Sequence, residues 1–367
     1  MLGAAELIDV GRAAGLAAVG VTHAEPFENT FADLEQRKTQ GLSAQMQFTY
    51  RNPVRSTNPR LTMADATALV VGAYDYQREL PARPVDEPTA RIATYSSEDH
   101  YASLREALKQ IAVVLQGAGH KAVVLADENN LVDRAVAHRA GIGWWGKSSN
   151  ILVPGVGSMV LLGSVLTNAP ITFEEAEPLA DGCKTCNKCL HGCPTGAIIE
   201  PGTVDANKCL AWLLQASGVF PAQYRELLGD RIYGCDDCQD VCPPNQIRRK
   251  KPAASGEAAW VSILDMLELS DEALLQRFGR WYVPHRDPNY LRRNALVVLG
   301  NIGRGEDQRT AKILTEMLAH QSTLVVAHAV WAARRLNRND LLGSLTRSQL
   351  EDSLVSAELE RPVKVLE

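Results

Sequence analysis

All eight cysteines of this 367-residue chain lie between positions 183 and 242. The first four read Cys-x2-Cys-x2-Cys-x3-Cys-Pro, Cys209 follows alone, and the last three read Cys-x2-Cys-x3-Cys-Pro. The first run has the spacing of bacterial ferredoxins, in which the fourth cysteine ligates the other cluster of a pair. Two [4Fe-4S] clusters need eight thiolates, so the number and the spacing of the cysteines together predict two such clusters.

The ferredoxin crossover divides the cysteines into two sets of four. One cluster would be held by Cys183, Cys186, Cys189 and Cys242, and the other by Cys193, Cys209, Cys235 and Cys238. Cys209 stands within residues 206–215, whose pattern is typical of a helix, so we expect this ligand to come from a helical insertion. Pro194 and Pro243 should stop a helix at the last ligand of each run, because proline lacks an N–H donor.

Zinc and disulfides are the alternative uses of so many cysteines. Closed zinc sites draw on pairs of C-x2–4-C arms set well apart, whereas the first four cysteines crowd into eleven residues. Disulfides belong to oxidising compartments, and the first residues lack the basic stretch and apolar core of a signal peptide. No apolar run reaches the ~18 residues of a membrane span. We therefore expect a reduced, cytoplasmic protein with no membrane segment.

The composition is that of a globular protein with several domains. Hydrophobic residues make up 46% of the chain and charged residues 22%, which predicts real cores and two or three domains. We place the domains at 1–172, 173–250 and 251–367. The net charge of −5 hides an asymmetry, because residues 277–340 contain eleven Lys and Arg against five Asp and Glu. This basic segment favours an anionic partner.

Helical and extended patterns alternate ahead of the cysteines. Strands are predicted at 68–74, 122–125 and 158–167, and helices at 4–15 and 101–115. This pattern predicts an α+β fold with α/β-like character for the N-terminal domain, ended by Pro170 and the acidic segment 174–178.

Beyond the cysteines, Arg248–Pro252 and the small residues after it predict a linker, and the pattern from Val261 onward is helical. Helices are predicted at 290–301, 311–318 and 324–336. Their length and spacing are typical of HEAT-like helical pairs. The charged surface of such a domain is either merely solvated or binds phosphates.

A second unusual segment runs from Asp127 to Asn150. Asp127 follows a predicted strand, where loop residues often face a cleft, and residues 131–140 should form a helix that ends at Gly141. Gly141, Gly143 and Gly146 alternate with Trp144 and Trp145, and could let the backbone approach a large flat ligand beside an apolar wall. Glycines after a helix are also common caps, tryptophans are common in cores, and an Asp at this place is a common helix cap.

Taken together, these features resemble the epoxyqueuosine reductases, cobalamin-dependent iron-sulfur enzymes that complete queuosine in tRNA. The resemblance rests on residues 127–137 and 140–147, on the eight cysteines and on residues 293–301, with weaker support from residues 41–46 and 58–61. It spans nearly the whole chain, and the combination is far more specific than any one motif.

The resemblance implies a function and a site. The enzyme would reduce epoxyqueuosine to queuosine at the wobble position of tRNA, with Asp127 as the proton donor. Asp133 is the alternative donor, but its place in a helix beside Arg134 is typical of a structural residue. The N-terminal domain would bind cobalamin base-off with no histidine ligand, and His23 and His138 would be surface or structural residues. The predicted cobalamin contacts are Gly141, Gly143, Trp144, Gly146, Lys147, Ser148 and Ser149.

The resemblance also implies partners. The helical tail would bind the anticodon stem-loop through Arg292 and Arg293, and an external low-potential donor such as flavodoxin or ferredoxin would reduce a monomeric enzyme. Two departures limit the transfer of roles. Asp99-His100-Tyr101 stands where the family commonly has Asp-Tyr-His, and Ser148 stands where Asn or His is usual.

Three other functions share part of this pattern. A reductive dehalogenase-like enzyme would also use cobalamin and two clusters, although such enzymes typically carry a twin-arginine export signal. A ferredoxin-type electron-transfer protein would need only the cysteines and would leave residues 127–147 without a role. A nucleic-acid-binding protein with a structural cluster would have no redox activity.

Overall fold

The computed structural model describes residues 2–247 and 259–366. The predicted linker at Arg248–Pro252 lies outside the described residues. Within the described ranges, no helix has both the length and the apolar character needed to cross a membrane.

Helices and short strands alternate along the described chain. The helices are α1 (Ala4–Ala13), α2 (Glu28–Thr39), α3 (Pro53–Ser56), α4 (Thr94–Ser97), α5 (His100–Gly117), α6 (Asp133–Arg139), α7 (Lys188–His191), α8 (Leu210–Leu213), α9 (Ala222–Leu228), α10 (Asp237–Asp240), α11 (Pro243–Ile247), α12 (Ile263–Glu268), α13 (Asp271–Phe278), α14 (Asn289–Ile302), α15 (Gln308–Leu318), α16 (Thr323–Arg335), α17 (Arg347–Glu351) and α18 (Ser353–Glu360). The strands are β1 (Ala18–His23), β2 (Ala68–Asp75), β3 (Thr89–Ile92), β4 (Ala122–Leu125), β5 (Trp144–Trp145), β6 (Ile151–Leu152), β7 (Val160–Thr167), β8 (Ile198–Glu200), β9 (Thr203–Val204), β10 (Arg231–Tyr233) and β11 (Trp260–Ser262).

These elements form two compact units. The described part of the first unit comprises residues 2–78, 98–209 and 236–247, and that of the second comprises residues 79–97, 210–235 and 259–366. This division differs from the predicted three consecutive domains. The reason is strand pairing, because β3 pairs with β10 and with β11 and so joins residues 79–97 and 210–235 to the C-terminal part of the chain.

The first unit contains a four-stranded sheet in the order β1-β2-β7-β4. Each neighbouring pair in this sheet is antiparallel, so the unit is α+β and the expected α/β-like character is wrong. The predicted strands and helices are confirmed within a few residues. Because β4 ends at Leu125, Asp127 lies in the loop that leaves the edge of this sheet.

Two opposite glycines let a helix pack closely on this sheet. Gly72 of β2 is paired with Gly163 of β7, and Leu108 of α5 lies against both. A Cβ atom at position 163 would come within 2.8 Å of Leu108 Cδ1, closer than two carbon atoms can approach. These glycines therefore fix the position of α5, whose first turn carries Tyr101.

The second unit is a small sheet followed by helices. Its sheet has the order β10-β3-β11, with β10 parallel and β11 antiparallel to β3. The predicted helices appear as α14, α15 and α16. The expectation that the pattern is helical from Val261 onward is wrong for Val261 and Ser262, which belong to β11 because they hydrogen-bond along β3. The HEAT-like pairing of the helices stays a prediction.

Candidate functional site

Four cysteines of the first unit lie close together. Burial and the neighbouring thiols of Cys183, Cys189 and Cys186 raise the pKa of the Cys242 thiol to about 11. Burial and the thiols of Cys183 and Cys186 also raise the pKa of Cys189. The thiols of Cys189 and Cys242 thus lie within electrostatic range of Cys183 and Cys186, the partners that the crossover rule gives them. Mutual repulsion of thiolates in this space is what a bound iron centre, with its positive charge, would offset.

The remaining cysteines occupy different local structures. The Ala197 N–H lies 3.2 Å from Cys193 Sγ, and hydrogen bonds to ligand sulfurs are one means by which proteins set cluster potentials. The prediction that Cys209 lies within a helix is wrong. The Asp205 carboxylate accepts a hydrogen bond from the Asn207 N–H at 3.0 Å, and such an Asx turn competes with helix formation. The helix α8 begins only at Leu210.

The proline after Cys242 has a double effect. Helix α10 ends at Asp240, as the prediction requires, but α11 begins at Pro243. Proline is well tolerated in the first turn of a helix, where its missing N–H would have no partner. The prediction that Pro243 ends a helix therefore agrees with the end of α10 at Asp240. It is wrong for the residues that follow, because Pro243 begins α11.

A buried polar network holds the last ligand segment against the sheet. Asn245 Oδ1 accepts the Ser158 N–H at 2.8 Å, and Asn245 Nδ2 donates to Ser158 Oγ at 2.9 Å. Gln77 Nε2 donates to the Asn245 carbonyl at 2.6 Å, and Gln239 Nε2 donates to the Tyr76 hydroxyl at 3.2 Å. Cysteine spacing carries no signal for these residues, although they fix the backbone directly after Cys242.

Asp127 has the properties expected of a proton donor. It has a φ of +58°, which is uncommon for a residue with a side chain and is often found at functional sites. Although the residue as a whole is exposed, its carboxyl is recessed among protein atoms, and this loss of hydration raises its pKa. Arg105 and a hydrogen bond from Tyr101 act in the opposite direction and lower the pKa of Asp127.

The family-variant residues at the start of α5 separate into three roles. Asp99 caps the helix by accepting the Ala102 N–H at 3.0 Å, and His100 is buried. The Tyr101 side chain acts on Asp127 and lowers its pKa, and the Arg105 guanidinium carbon lies 5.6 Å from the centre of the Tyr101 ring. Sequence reasoning assigned Tyr101 no role, and only the approach of α5 to the β4 loop reveals one.

Asp133 also belongs to this cluster. Loss of hydration raises the pKa of Asp133 well above its ordinary value, and the charge of Asp127 raises it further. Burial, followed by the charges of Asp127 and Asp133, raises the pKa of Tyr101. Two carboxyls and a phenol that face one another in this way favour the binding of protons between them.

Other residues of the chain pack closely against two of the glycines that were predicted to lie beside a ligand. A Cβ atom at Gly143 would lie 2.3 Å from Ile151 Cγ2, and one at Gly146 would lie 2.1 Å from Leu152 Cδ1. Gly141 has a φ of +69° and follows α6, which is the usual position of a glycine C-cap. Gly141 thus caps α6 and Gly143 and Gly146 pack within the β5-β6 hairpin, while their contact with cobalamin stays a prediction.

Lys147 and Ser149 connect this hairpin to the cluster segment. Lys147 Nζ donates to the Lys184 carbonyl at 2.7 Å and to Asn187 Oδ1 at 2.9 Å. Ser149 Oγ donates to the Gly202 carbonyl at 2.6 Å. Both polar groups therefore bind the protein, and the expected contacts of Lys147 and Ser149 with cobalamin stay predictions.

The rest of the hairpin tip has free surface. Trp144 packs its ring against Gly182, whereas Trp145 is 39% exposed and Ser148 is half-buried. The His138 ring lies 6.1 Å from the Trp145 ring, and burial lowers the pKa of His138. A large apolar ligand would meet Trp145 rather than the glycines beside it.

Comparison with known proteins identifies the family. Residues 182–245 match the family described as a 4Fe-4S double cluster binding domain. The epoxyqueuosine reductase of Bacillus anthracis is 30% identical to this chain. The alignment covers 98% of this chain and 97% of the relative. The chain belongs to the epoxyqueuosine reductase family.

Solved structures of epoxyqueuosine reductases agree with the fold. The enzyme from Streptococcus thermophilus is 28% identical, with a TM-score of 0.87 over 97% of both chains. A crystal structure of an epoxyqueuosine reductase with an epoxyqueuosine-modified stem-loop of tRNA-Tyr is 28% identical, with a TM-score of 0.86 over 97% of this chain and 96% of that one. Because these matches cover 97% of this chain, the similarity of fold extends over both compact units.

One site implied by the resemblance to epoxyqueuosine reductases is wrong in this structure. Arg293 is fully buried, and its guanidinium donates to the carbonyls of Ala216 and Gly218, both at 2.7 Å. Arg292 is also buried and pairs with Asp271 at 2.5 Å. Neither guanidinium faces solvent, so these two arginines are not placed to bind tRNA phosphates. Residues 213–218, some eighty positions earlier, cover Arg293, whereas Arg292 is held by Asp271 and the Leu269 carbonyl.

Proposed function

We propose that this protein reduces epoxyqueuosine to queuosine at the wobble position of tRNA. The observation that carries the proposal is the relationship to epoxyqueuosine reductases over 98% of the chain. It is supported by the position of Asp127, which lies in the loop after β4 beside Tyr101, in the unit that also carries most of the cysteines.

The reaction defines what the protein must supply. Converting the epoxide to an alkene consumes two electrons and two protons and releases the oxygen as water. No ordinary side chain delivers electrons, so cofactors must carry them, and we assign this task to the two [4Fe-4S] clusters on the eight cysteines. We expect an external low-potential donor such as flavodoxin or ferredoxin, and a monomeric enzyme in the cytoplasm.

Cobalamin would supply the reducing metal next to the substrate, because reduced cobalt is a strong nucleophile and electron donor. A corrin ring has broad apolar faces, and the exposed ring of Trp145 in the first unit fits such a ligand. Ser148 would add a polar contact. Gly141, Gly143, Gly146, Lys147 and Ser149 would hold the hairpin in place. We expect base-off binding with no histidine ligand.

Asp127 would donate the proton to the departing oxygen. A general acid must be protonated at the working pH, and loss of hydration raises the pKa of Asp127 in the required direction. Tyr101 would hold the carboxyl in position, and Arg105 would limit the rise of its pKa. Asp133 stands at the start of α6, where burial and the charge of Asp127 raise its pKa.

The experiment is anaerobic reconstitution with iron, sulfide and cobalamin, followed by mass analysis of epoxyqueuosine-containing tRNA after a reductant is added. Formation of queuosine supports the proposal. A protein that holds about eight irons yet leaves the epoxide intact would be an electron-transfer protein, and one without redox activity would carry a structural cluster.

A further inference from the structure

The basic segment of residues 277–340 uses most of its charge internally. Its eleven Lys and Arg side chains separate into three groups. Arg292, Arg309, Lys312, Arg335 and Arg338 pair with acidic side chains, and Arg293 and Arg334 donate to backbone carbonyls without forming an ion pair. Arg277, Arg280, Arg286 and Arg304 are exposed and form no ion pair within the described residues, although Arg280 donates to the Ser96 and Ser97 carbonyls, both at 3.4 Å. The charge available to a partner is therefore much smaller, and more localised, than the sequence indicates.

Three of these four arginines lie within ten residues. Arg277, Arg280 and Arg286 stand on the segment 277–286, which also exposes His285 and the ring of Tyr282, 56% exposed. The nearest acidic residue in sequence, Asp287, accepts the Asn289 N–H at 2.9 Å. An exposed aromatic ring among unpaired arginines is the combination found on surfaces that bind single-stranded nucleic acid.

Buried aromatic residues hold the segment 277–286 rigidly. The Trp281 ring stacks on the Tyr233 ring, with centroids 4.7 Å apart and planes at 7°. The Tyr233 hydroxyl accepts the Tyr282 N–H at 2.7 Å. Trp281 and Val283 point into the core while Arg280 and Tyr282 face solvent. A surface fixed in this way loses little conformational entropy when it binds a partner.

The end of the segment is strained. His285 and Arg286 both have a φ of +55°, a conformation that costs about 1–3 kcal/mol for a residue with a side chain. Arg286 Nη1 donates to the Gly279 carbonyl at 3.3 Å, which returns the side chain toward Arg280. Strain of this kind is often retained where it orients functional groups.

We propose that the segment 277–286 is the RNA-binding surface of this protein, with Arg277, Arg280 and Arg286 on phosphates and the Tyr282 ring stacked on a base. The proposal rests on the proposed function for the identity of the RNA. Tyr233, which anchors the segment, lies two residues before Cys235, a predicted ligand of the second cluster. RNA held here would be fixed relative to the end of β10, which leads directly to this ligand.

The test measures binding of an unmodified anticodon stem-loop RNA to the anaerobically purified holoprotein, by fluorescence anisotropy at several salt concentrations. The double variant Arg280→Glu/Arg286→Glu should weaken binding at least tenfold and reduce the slope of log K against log salt by about 0.7–1 for each phosphate that the variant no longer neutralises. Arg347→Glu is the matched control, because Arg347 is 93% exposed in the same unit.

Tyr282 gives a second, uncharged test. Tyr282→Ala should weaken binding about tenfold, whereas Tyr282→Phe should retain it, because stacking requires the ring and not the hydroxyl. The milder pair Arg280→Gln/Arg286→Gln answers the same question if the charge reversal fails to fold.

Three outcomes would overturn the proposal: an affinity and salt slope equal to those of Arg347→Glu, a Tyr282→Ala variant that binds normally, or charge reversals that slow reduction by an external donor protein without affecting RNA. The last outcome would make the segment a protein-docking surface. Because binding is measured without turnover, a protein that binds RNA through this surface but makes no queuosine would contradict the proposed function alone.

Discussion

The Tyr101 hydroxyl acts on the carboxyl of Asp127 and lowers its pKa, against the loss of hydration that raises it. This interaction joins the first turn of α5 to the loop after β4, two elements that the Gly72–Gly163 pair brings together through Leu108. The acidity of Asp127 is therefore set partly by the packing of a helix on a sheet.

Replacing Tyr101 by Phe should raise the pKa of Asp127, because the hydrogen bond that stabilises its charged form is removed. If Asp127 is the general acid, turnover falls as the pH rises through its pKa. The alkaline limb of the pH–rate profile should then move to higher pH in Tyr101→Phe. Tyr95→Phe in the second unit serves as a control. If the alkaline limb of the pH–rate profile stays in place in both variants, Tyr101 does not set the pKa of the catalytic acid.

Replacing Asp127 by Asn should remove the proton donor while preserving the shape of the loop. We expect turnover to fall by about 10²- to 10⁴-fold, with iron content and cobalamin uptake unchanged. The measurement is single-turnover formation of queuosine, paired with iron analysis of the same sample. A variant with near-normal turnover would reject Asp127 as the acid and direct attention to Asp133.

The cysteine ligands could be predicted because their spacing is local. A crossover between Cys189 and Cys242 follows from the ferredoxin pattern, and burial of these thiols beside one another agrees with it. The glycines of the β5-β6 hairpin and the arginines of α14 could not be assigned from sequence in the same way. Their roles depend on which residues cover them, such as Leu152 over Gly146, and that information is absent from any single segment.

The error on Arg293 shows this physical limit most clearly. An arginine on a helix can face solvent or fill a buried nest of carbonyls, and both arrangements satisfy its five donors. The periodicity of α14 favours the core for Leu296 and Val297 but does not decide for Arg293. The loop after α8 decides, because its carbonyls at 213–218 need donors.

Asp133 should make stability depend on pH. Its pKa is higher in the folded state than its ordinary value of 3.8, so its favourable contribution is complete below the unfolded pKa and is lost as the pH rises through the folded pKa. The variant Asp133→Asn cannot ionise, so it does not lose this stability as the pH rises. Its free energy of unfolding should exceed that of the wild type at neutral pH, and the difference should shrink toward pH 4.

Urea denaturation at several pH values measures this difference, with the exposed Asp86→Asn as a control. A difference that stays constant with pH, or that grows toward acid, would contradict the assignment.

Arg293→Met should destabilise the second unit without a specific effect on RNA. The methionine keeps the apolar stem but leaves the carbonyls of Ala216 and Gly218 without their donor. Buried acceptors left unpaired cost about 1–3 kcal/mol each, so we expect the free energy of unfolding to fall by about 3 kcal/mol or more. Urea denaturation measures this fall, and anisotropy at a temperature where the variant is folded measures RNA affinity. The salt slope of RNA binding should equal that of the wild type, since Arg293 is not placed to bind a phosphate. Wild-type stability combined with a reduced salt slope would instead return Arg293 to the RNA surface, and would require α14 to turn its buried face outward when RNA binds.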